Sequence, residues 1–210
     1  MNKNRLEAFS DGVLAIIITI MVLELRVPEE PTWPGLVSVV PTMLSYLLSF
    51  VYVGIYWNNH HHLIQLASRV NGTVLWANLH LLFWLSLFPF TTRWSDESAF
   101  AQVPVMVYGL NLLFASIAFF VLQTALERLQ GPDGALVQAL GRDWKGKSSP
   151  FLYLAGILSA FVHPGLSLVV YCIVALIWLA PDRRVERYLA QREAAHSSAA
   201  GERVDDGRTD

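Results

Sequence analysis

The sequence predicts an all-α membrane protein with six transmembrane helices per chain, and three observations support that fold class. Of the 210 residues, 54% are hydrophobic and 15% are charged, with a mean hydropathy of +0.42. A soluble domain is about 45–50% apolar and about 25% charged. The apolar residues form runs of about the 20 residues that a helix needs to cross the hydrocarbon core. The basic residues lie mainly on one side of these runs, as the positive-inside rule requires.

The predicted spans follow one another along the chain with short polar connections. In order they are residues 12–25, 36–57, 70–90 and 100–125, followed by an apolar block at 150–180. The last block is interrupted by His163, Pro164 and Gly165, and such residues favour a tight turn between two short helices. A single kinked crossing with a re-entrant half is the alternative for this block.

Basic residues predict the orientation of the spans. With six crossings, one side receives Lys3, Arg5, Arg69, Arg128, Arg142, Lys145, Lys147 and the Arg-rich segment after Arg183. The other side receives only Arg26 and Arg93, beside acidic residues. We therefore expect a multi-pass protein of the cell (plasma) membrane with both termini in the cytoplasm. We expect residues 1–181 to form the transmembrane domain and residues 182–210 to form a partly disordered cytoplasmic tail.

Composition also limits the partners of the chain. A net charge of −2 gives no basic surface for nucleic acid. A single cysteine, Cys172, excludes an intramolecular disulfide and a cysteine-rich zinc site. The expected partner is the lipid bilayer, and no cofactor is expected.

The first span has two distinct non-lipid faces. At about 100° per residue, one stripe contains Arg5, Phe9, Gly12, Ile16, Thr19 and Leu23. Ser10 and Asp11 lie on another side of the helix. A carboxylate within a membrane helix is costly unless it is paired, so Asp11 needs a partner inside the protein.

Partners for Asp11 are available at the same depth on the next two spans. The second span ends in His60, His61 and His62, and the third contains Asn78 and His80 in its first half. Because polar groups in hydrocarbon must satisfy one another, we expect a buried network. Its members are Ser10, Asp11, one or more of the three histidines, Asn78 and His80. A metal site is not expected, because consecutive histidines point about 100° apart on a helix.

Three segments together resemble the transmembrane protein 175 family of potassium channels. The most specific is Arg5-x-x-x-Phe9-Ser10-Asp11, followed by Ala15-Ile16 and Thr19. Tyr56-Trp57-x-x-His60-His61 and the run from Ser86 to Thr91 support it.

The resemblance implies a homotetramer of single six-helix repeats in which the first helix of each chain lines a central pore. It implies a hydrophobic constriction at Ile16, a contribution of Thr19 to potassium preference and a further apolar layer at Leu23. Arg5, Phe9, Ser10 and Asp11 are implied to hold helices together. The potassium ion is the permeant species and passes close to Thr19. Because the Thr-Val-Gly-Tyr-Gly motif is absent, we do not expect a ring of backbone carbonyls as selectivity filter.

The expected function is therefore a passive, potassium-preferring cation channel, with proton permeability as a variant. The main alternative is a small proton- or cation-coupled secondary transporter. Such transporters usually contain internal repeats and interrupted helices, and no inverted repeat is visible here. A membrane enzyme using Asp11 and the histidines is the third class, and no nucleophile motif or phosphate-binding loop supports it.

Overall fold

The computed structural model of the protein describes residues 3–132, 134, 136–137 and 144–179, and its regular elements are helices. The helices with complete bounds in these ranges are α1 (Lys3–Leu23), α2 (Trp33–Ser38), α3 (Val40–Leu66), α4 (Gly72–Ser86), α5 (Phe88–Glu97), α6 (Gln102–Gln130), α7 (Trp144–Ser159) and α8 (Pro164–Leu179). The predicted tail, residues 182–210, lies outside the described residues.

Among the described residues, four helical segments are long and apolar enough to cross a membrane. They are Lys3–Leu23, Val40–Leu66, Gly72–Glu97 and Gln102–Gln130. The expectation of an all-helical membrane protein is confirmed at this level. The segments α7 and α8 are apolar but shorter, at 16 residues each.

The break at His163 separates two helices that pack side by side. The helix α7 ends at Ser159, and α8 begins at Pro164, where the missing N–H of proline is tolerated. The two helices contact each other along their length. The predicted turn between two short helices is present. That each of them crosses the membrane stays a prediction.

The third span extends further than predicted. We expected a loop after residue 90, but the chain continues as α5 as far as Glu97 after an interruption at Leu87. Pro89 lies in the first turn of α5, where its missing N–H leaves no hydrogen bond unmade. The side chains of Thr92 and Ser95 bond backbone carbonyls one turn earlier, so the hydroxyls on the buried face of α5 are satisfied within the helix.

The helix α6 lies at the centre of the packing and contacts α4, α5, α7 and α8. One of its faces is wholly buried, with Leu112, Ala115, Ala118, Leu122 and Leu126 fully excluded from solvent. The two alanines on this face leave room for neighbouring helices to approach closely.

A buried tyrosine joins three helices beside α6. The Tyr171 ring of α8 lies against Gly109 of α6 and Gly156 of α7, and a Cβ atom at either glycine would overlap that ring. The Tyr52 hydroxyl of α3 donates a hydrogen bond to the Tyr171 carbonyl at 2.6 Å. Glycine is required at both positions by the space that the ring occupies.

We predict that Gly109→Ala lowers the melting temperature of the purified protein, because the added methyl group overlaps the buried Tyr171 ring. Overpacking of this kind costs about 1–3 kcal/mol. Gly54→Ala on α3 is the matched control, since a Cβ there meets no atom within 4 Å. The measurement is thermal unfolding, monitored by the folded fraction that size-exclusion chromatography recovers after heating to each temperature. Equal melting temperatures for the two variants would contradict this account of Gly109.

Candidate functional site

The first helix buries one face and exposes the other. Its buried residues are Leu6, Ser10, Leu14, Ile17 and Met21, which recur every three or four positions. This face packs on α3, α4 and α5. Among the described residues, no other helix covers the opposite face, so its side chains are available to whatever surrounds the protomer.

The exposed face of α1 is the stripe that the sequence analysis identified. Ile16 is 60% exposed, Leu23 is 78% exposed and Phe9 is 53% exposed. Arg5, Gly12 and Thr19 are exposed on the same side. The stripe therefore takes no part in the core of the single chain.

The Thr19 hydroxyl donates a hydrogen bond to the Ala15 carbonyl one turn earlier, at 2.8 Å. A hydroxyl has one donor proton and two acceptor lone pairs. The backbone bond uses the proton and leaves the oxygen able to accept from, or coordinate, a species outside the chain.

A buried polar cluster of Ser10, His60 and Asn78 joins α1, α3 and α4. The Asn78 side-chain amide donates from Nδ2 to Ser10 Oγ at 3.0 Å, and His60 Nε2 lies 2.8 Å from Asn78 Oδ1. Ser10 and Asn78 are fully buried, and His60 is 2% exposed. Ser10 Oγ donates in turn to the Leu6 carbonyl at 2.9 Å. Because Asn78 Oδ1 can only accept, His60 carries its proton on Nε2 in this arrangement.

Asp11 and His80, which we expected in the buried network, lie outside it. Each is exposed and accepts a hydrogen bond from a nearby tryptophan: Trp57 donates to Asp11 Oδ1 and Trp84 donates to His80 Nε2, both at 3.0 Å. The reason is angular. Asp11 is about 100° beyond Ser10, and His80 is about 200° beyond Asn78, so both side chains leave the faces where the helices meet.

The three consecutive histidines have different surroundings. His60 is in the buried cluster, whereas His61 Nδ1 lies 3.0 Å from Glu7 Oε1 of α1. The His61 ring also stacks on Trp57, with centroids 6.0 Å apart. The Nδ1 atom of His62 is buried and has no hydrogen-bond partner in the described part of the chain. Within the described ranges, no group of three or more His, Cys, Asp or Glu side chains is placed to hold a metal ion.

A set of ion pairs at the other end of α1 was missed by the sequence analysis. Arg93 of α5 lies 3.0 Å from Glu97 and 3.8 Å from Glu24, which follows the end of α1. Arg26 also contacts Glu97, at 3.3 Å. The spacing of Arg93 and Glu97, four residues apart, is a sequence signal for a helical ion pair. The hydropathy pattern instead predicts a loop for this segment, because the third apolar run ends at residue 90.

Comparison with known proteins places this arrangement in a family. The sequence model for the family described as "Endosomal/lysosomal potassium channel TMEM175" matches residues 5–89. That segment contains α1 and the cluster of Ser10, His60 and Asn78.

Two bacterial potassium channels are similar over most of this chain. A potassium channel of Chryseobacterium sp. (strain P1-3) is 52% identical over 191 residues, which cover 91% of this chain and 100% of the relative. A potassium channel of Chamaesiphon minutus is 33% identical over 190 residues, covering 84% of this chain and 92% of the relative.

The fold is also similar to a solved structure. The crystal structure of a lysosomal potassium-selective channel TMEM175 homolog from Chamaesiphon minutus aligns with a TM-score of 0.70 and 31% sequence identity. The alignment covers 84% of this chain and 96% of that chain. With one relative 52% identical over its full length, the chain belongs to the TMEM175 family of potassium channels, which are ion channels and not enzymes.

Proposed function

We propose that four copies of this chain assemble around a central pore lined by α1 and conduct potassium in preference to sodium. The observation that carries the proposal is the exposed stripe on α1. Its small, apolar and hydroxyl side chains face away from the core of the chain, while the opposite face is fixed by packing and by the buried cluster. The similarity to potassium channels supports the choice of ion.

In the proposed pore, Ile16 forms the constriction. Its side chain is 60% exposed in the protomer, and four copies around an axis would form an apolar ring. Such a ring gates by dewetting, so conduction requires the ring to widen. Leu23 adds a second apolar layer about 10 Å further along α1, at 1.5 Å per residue.

Thr19 lies one turn beyond Ile16 and supplies oxygen ligands in the proposed pore. Its oxygen retains lone pairs because only its proton is used by the Ala15 carbonyl. Four neutral hydroxyls replace only part of an ion's hydration shell. The preference for potassium is therefore modest and follows from the weaker hydration of the larger ion.

We place both termini of the proposed channel in the cytoplasm of the cell and the spans in the plasma membrane. Lys3 and Arg69 lie at the end where α1 and α4 begin, where they donate to the Gln65 and Leu129 carbonyls at 2.9 and 3.0 Å. At the other end, Arg26 and Arg93 are paired with acidic side chains. Unneutralised basic residues at one end support this orientation. In the proposed topology α7 and α8 are the fifth and sixth crossings.

We predict that Ile16→Asn increases potassium flux, because a polar ring is wetted more easily than an apolar one. The measurement is potassium flux into liposomes at matched protein density. Ile173→Asn, which makes the same change at an exposed position of α8, is the control and should leave the flux at the level of the unaltered protein. An unchanged flux in Ile16→Asn would contradict a constriction at this residue.

We predict that Thr19→Val reduces the preference for potassium over sodium by several-fold, because it removes the oxygen ligands and keeps the shape of the side chain. The measurement is the reversal potential in planar bilayers under bi-ionic conditions. Thr19→Ser keeps the hydroxyl and should retain the preference. Identical reversal potentials for Thr19→Val and the unaltered channel would show that Thr19 does not select the ion.

We predict that Asn78→Ala lowers the melting temperature of the channel, because it leaves His60 without a partner between three helices. An unsatisfied buried polar group costs about 1–3 kcal/mol. Asn59→Ala is the matched control, since within the described residues the Asn59 amide bonds only the Ile55 carbonyl of its own helix. If Asn78→Ala melts at the same temperature as Asn59→Ala, the cluster does not stabilise the position of α1.

A further inference from the structure

Two polar side chains on the surface of the protomer lie at the same level of the bundle. His60 of α3 and Asn78 of α4 are within hydrogen-bond distance, so these two residues lie at the same depth along the helix bundle. Asn58 precedes His60 by two residues and His80 follows Asn78 by two residues. Because α3 ends and α4 begins at the same end of the bundle, Asn58 and His80 are both displaced from that level by about 3 Å in one direction.

Each of these side chains has an unused hydrogen-bonding group. His80 accepts the Trp84 indole N–H on Nε2, so its own proton is on Nδ1 and points to no acceptor in the described residues. Asn58 is partly buried, and its side chain forms no hydrogen bond within the described ranges. An unpaired amide or imidazole N–H facing lipid costs free energy. Nδ1–H of His80 is a donor, and Oδ1 of Asn58 is a matching acceptor.

Asn58 and His80 both point away from the contact between α3 and α4, because each lies about 200° around its helix from His60 or Asn78. One side of α1 faces α3: Asp11 contacts Trp57, and Glu7 contacts His61. Glu24, just after α1, contacts Arg93 of α5, the helix that follows α4 in the chain. If α1 faces a central axis, the α3 side of one copy meets the α4 side of the next.

The surfaces around the two side chains are compatible with such a contact. On α3 the large apolar residues Leu47, Phe50 and Trp57 are each between 41% and 52% exposed. On α4 the exposed residues beside His80 are Trp76, Leu79 and Phe83. When two different faces of one subunit contact each other between neighbouring copies, repeated rotation closes a ring. Each subunit then uses both its α3 face and its α4 face.

We propose that His80 Nδ1 of each subunit donates a hydrogen bond to Asn58 Oδ1 of the adjacent subunit, and that this pair sets the register of neighbouring subunits in the ring. The occupant of the α4 face is thus the α3 face of a second copy. The proposal rests on the proposed tetrameric pore and identifies the contact that closes it.

The test is cross-linking between differently tagged chains that both carry Cys172→Ser, which removes the single native cysteine. One chain carries Asn58→Cys and the other carries His80→Cys, and the co-expressed channel is treated in membranes with a short bifunctional thiol reagent. We expect a heterodimer that contains both tags. A single chain carrying both substitutions should give a ladder up to the tetramer, because a ring of unlike faces connects every copy.

Controls separate this contact from random collision. Each singly substituted chain alone should give no dimer. His80→Cys should also give none with Leu158→Cys, since Leu158 is exposed on α7, which packs on α6 and α8. A heterodimer of similar yield in the Leu158 control, or only intrachain product in the doubly substituted chain, would overturn the proposal.

A second measurement tests the hydrogen bond itself. His80→Leu and Asn58→Leu should each lower the temperature at which the tetramer dissociates, and the double variant should lower it no further than either single change, because residues in contact are not additive. Additive effects would reject the bond.

The Cys172→Ser parent distinguishes failure of this inference from failure of the proposed function. If the parent is tetrameric and conducts potassium but the Asn58 and His80 cysteines do not cross-link, the contact is wrong and the pore stands. If the parent is not a tetramer, both proposals fall.

Discussion

The architecture depends on the requirement that polar side chains within a membrane protein find partners inside the protein. Ser10, His60 and Asn78 meet this requirement together, with distances of 3.0 and 2.8 Å between their polar atoms. Each comes from a different helix. A rotation of α1 by one residue would replace the Ser10 hydroxyl with Phe9, which leaves the Asn78 amide unpaired, or with Asp11, which buries a carboxylate. The cluster therefore fixes the rotation of α1 about its own axis.

Once that rotation is fixed, the opposite face of α1 has a defined composition. Ile16, Thr19 and Leu23 are turned outward because Leu14, Ile17 and Met21 are turned inward. The ion pairs among Glu24, Arg26, Arg93 and Glu97 hold the far end of the same helix against α5. A helix held at both ends, with one face free, can present that face to a shared axis.

Helical periodicity allowed the stripe on α1 to be read from the sequence, because it needs only the rise and twist of a single helix. The shared depth of Ser10, His60 and Asn78 in the bundle could also be predicted, since short connections place the ends of consecutive helices at the same side. The side on which each polar residue lies could not be read: Asp11 and His80 were expected in the buried cluster, yet they bond to Trp57 and Trp84. Whether a polar side chain faces a neighbouring helix or the surface depends on the packing angles between helices, and composition does not specify these angles. The extension of α5 to Glu97 was missed because its threonine and serine side chains bond their own backbone, which composition does not reveal.

The central claim is that the exposed face of α1 lines an axis shared by four chains. The most direct measurement is an electron cryo-microscopy structure of the assembled protein in a lipid environment. The account predicts fourfold symmetry with Ile16 nearest the axis and Thr19 one turn beyond it. A structure in which Ile16 and Thr19 face lipid, or in which α1 lies at the periphery of the assembly, would contradict it.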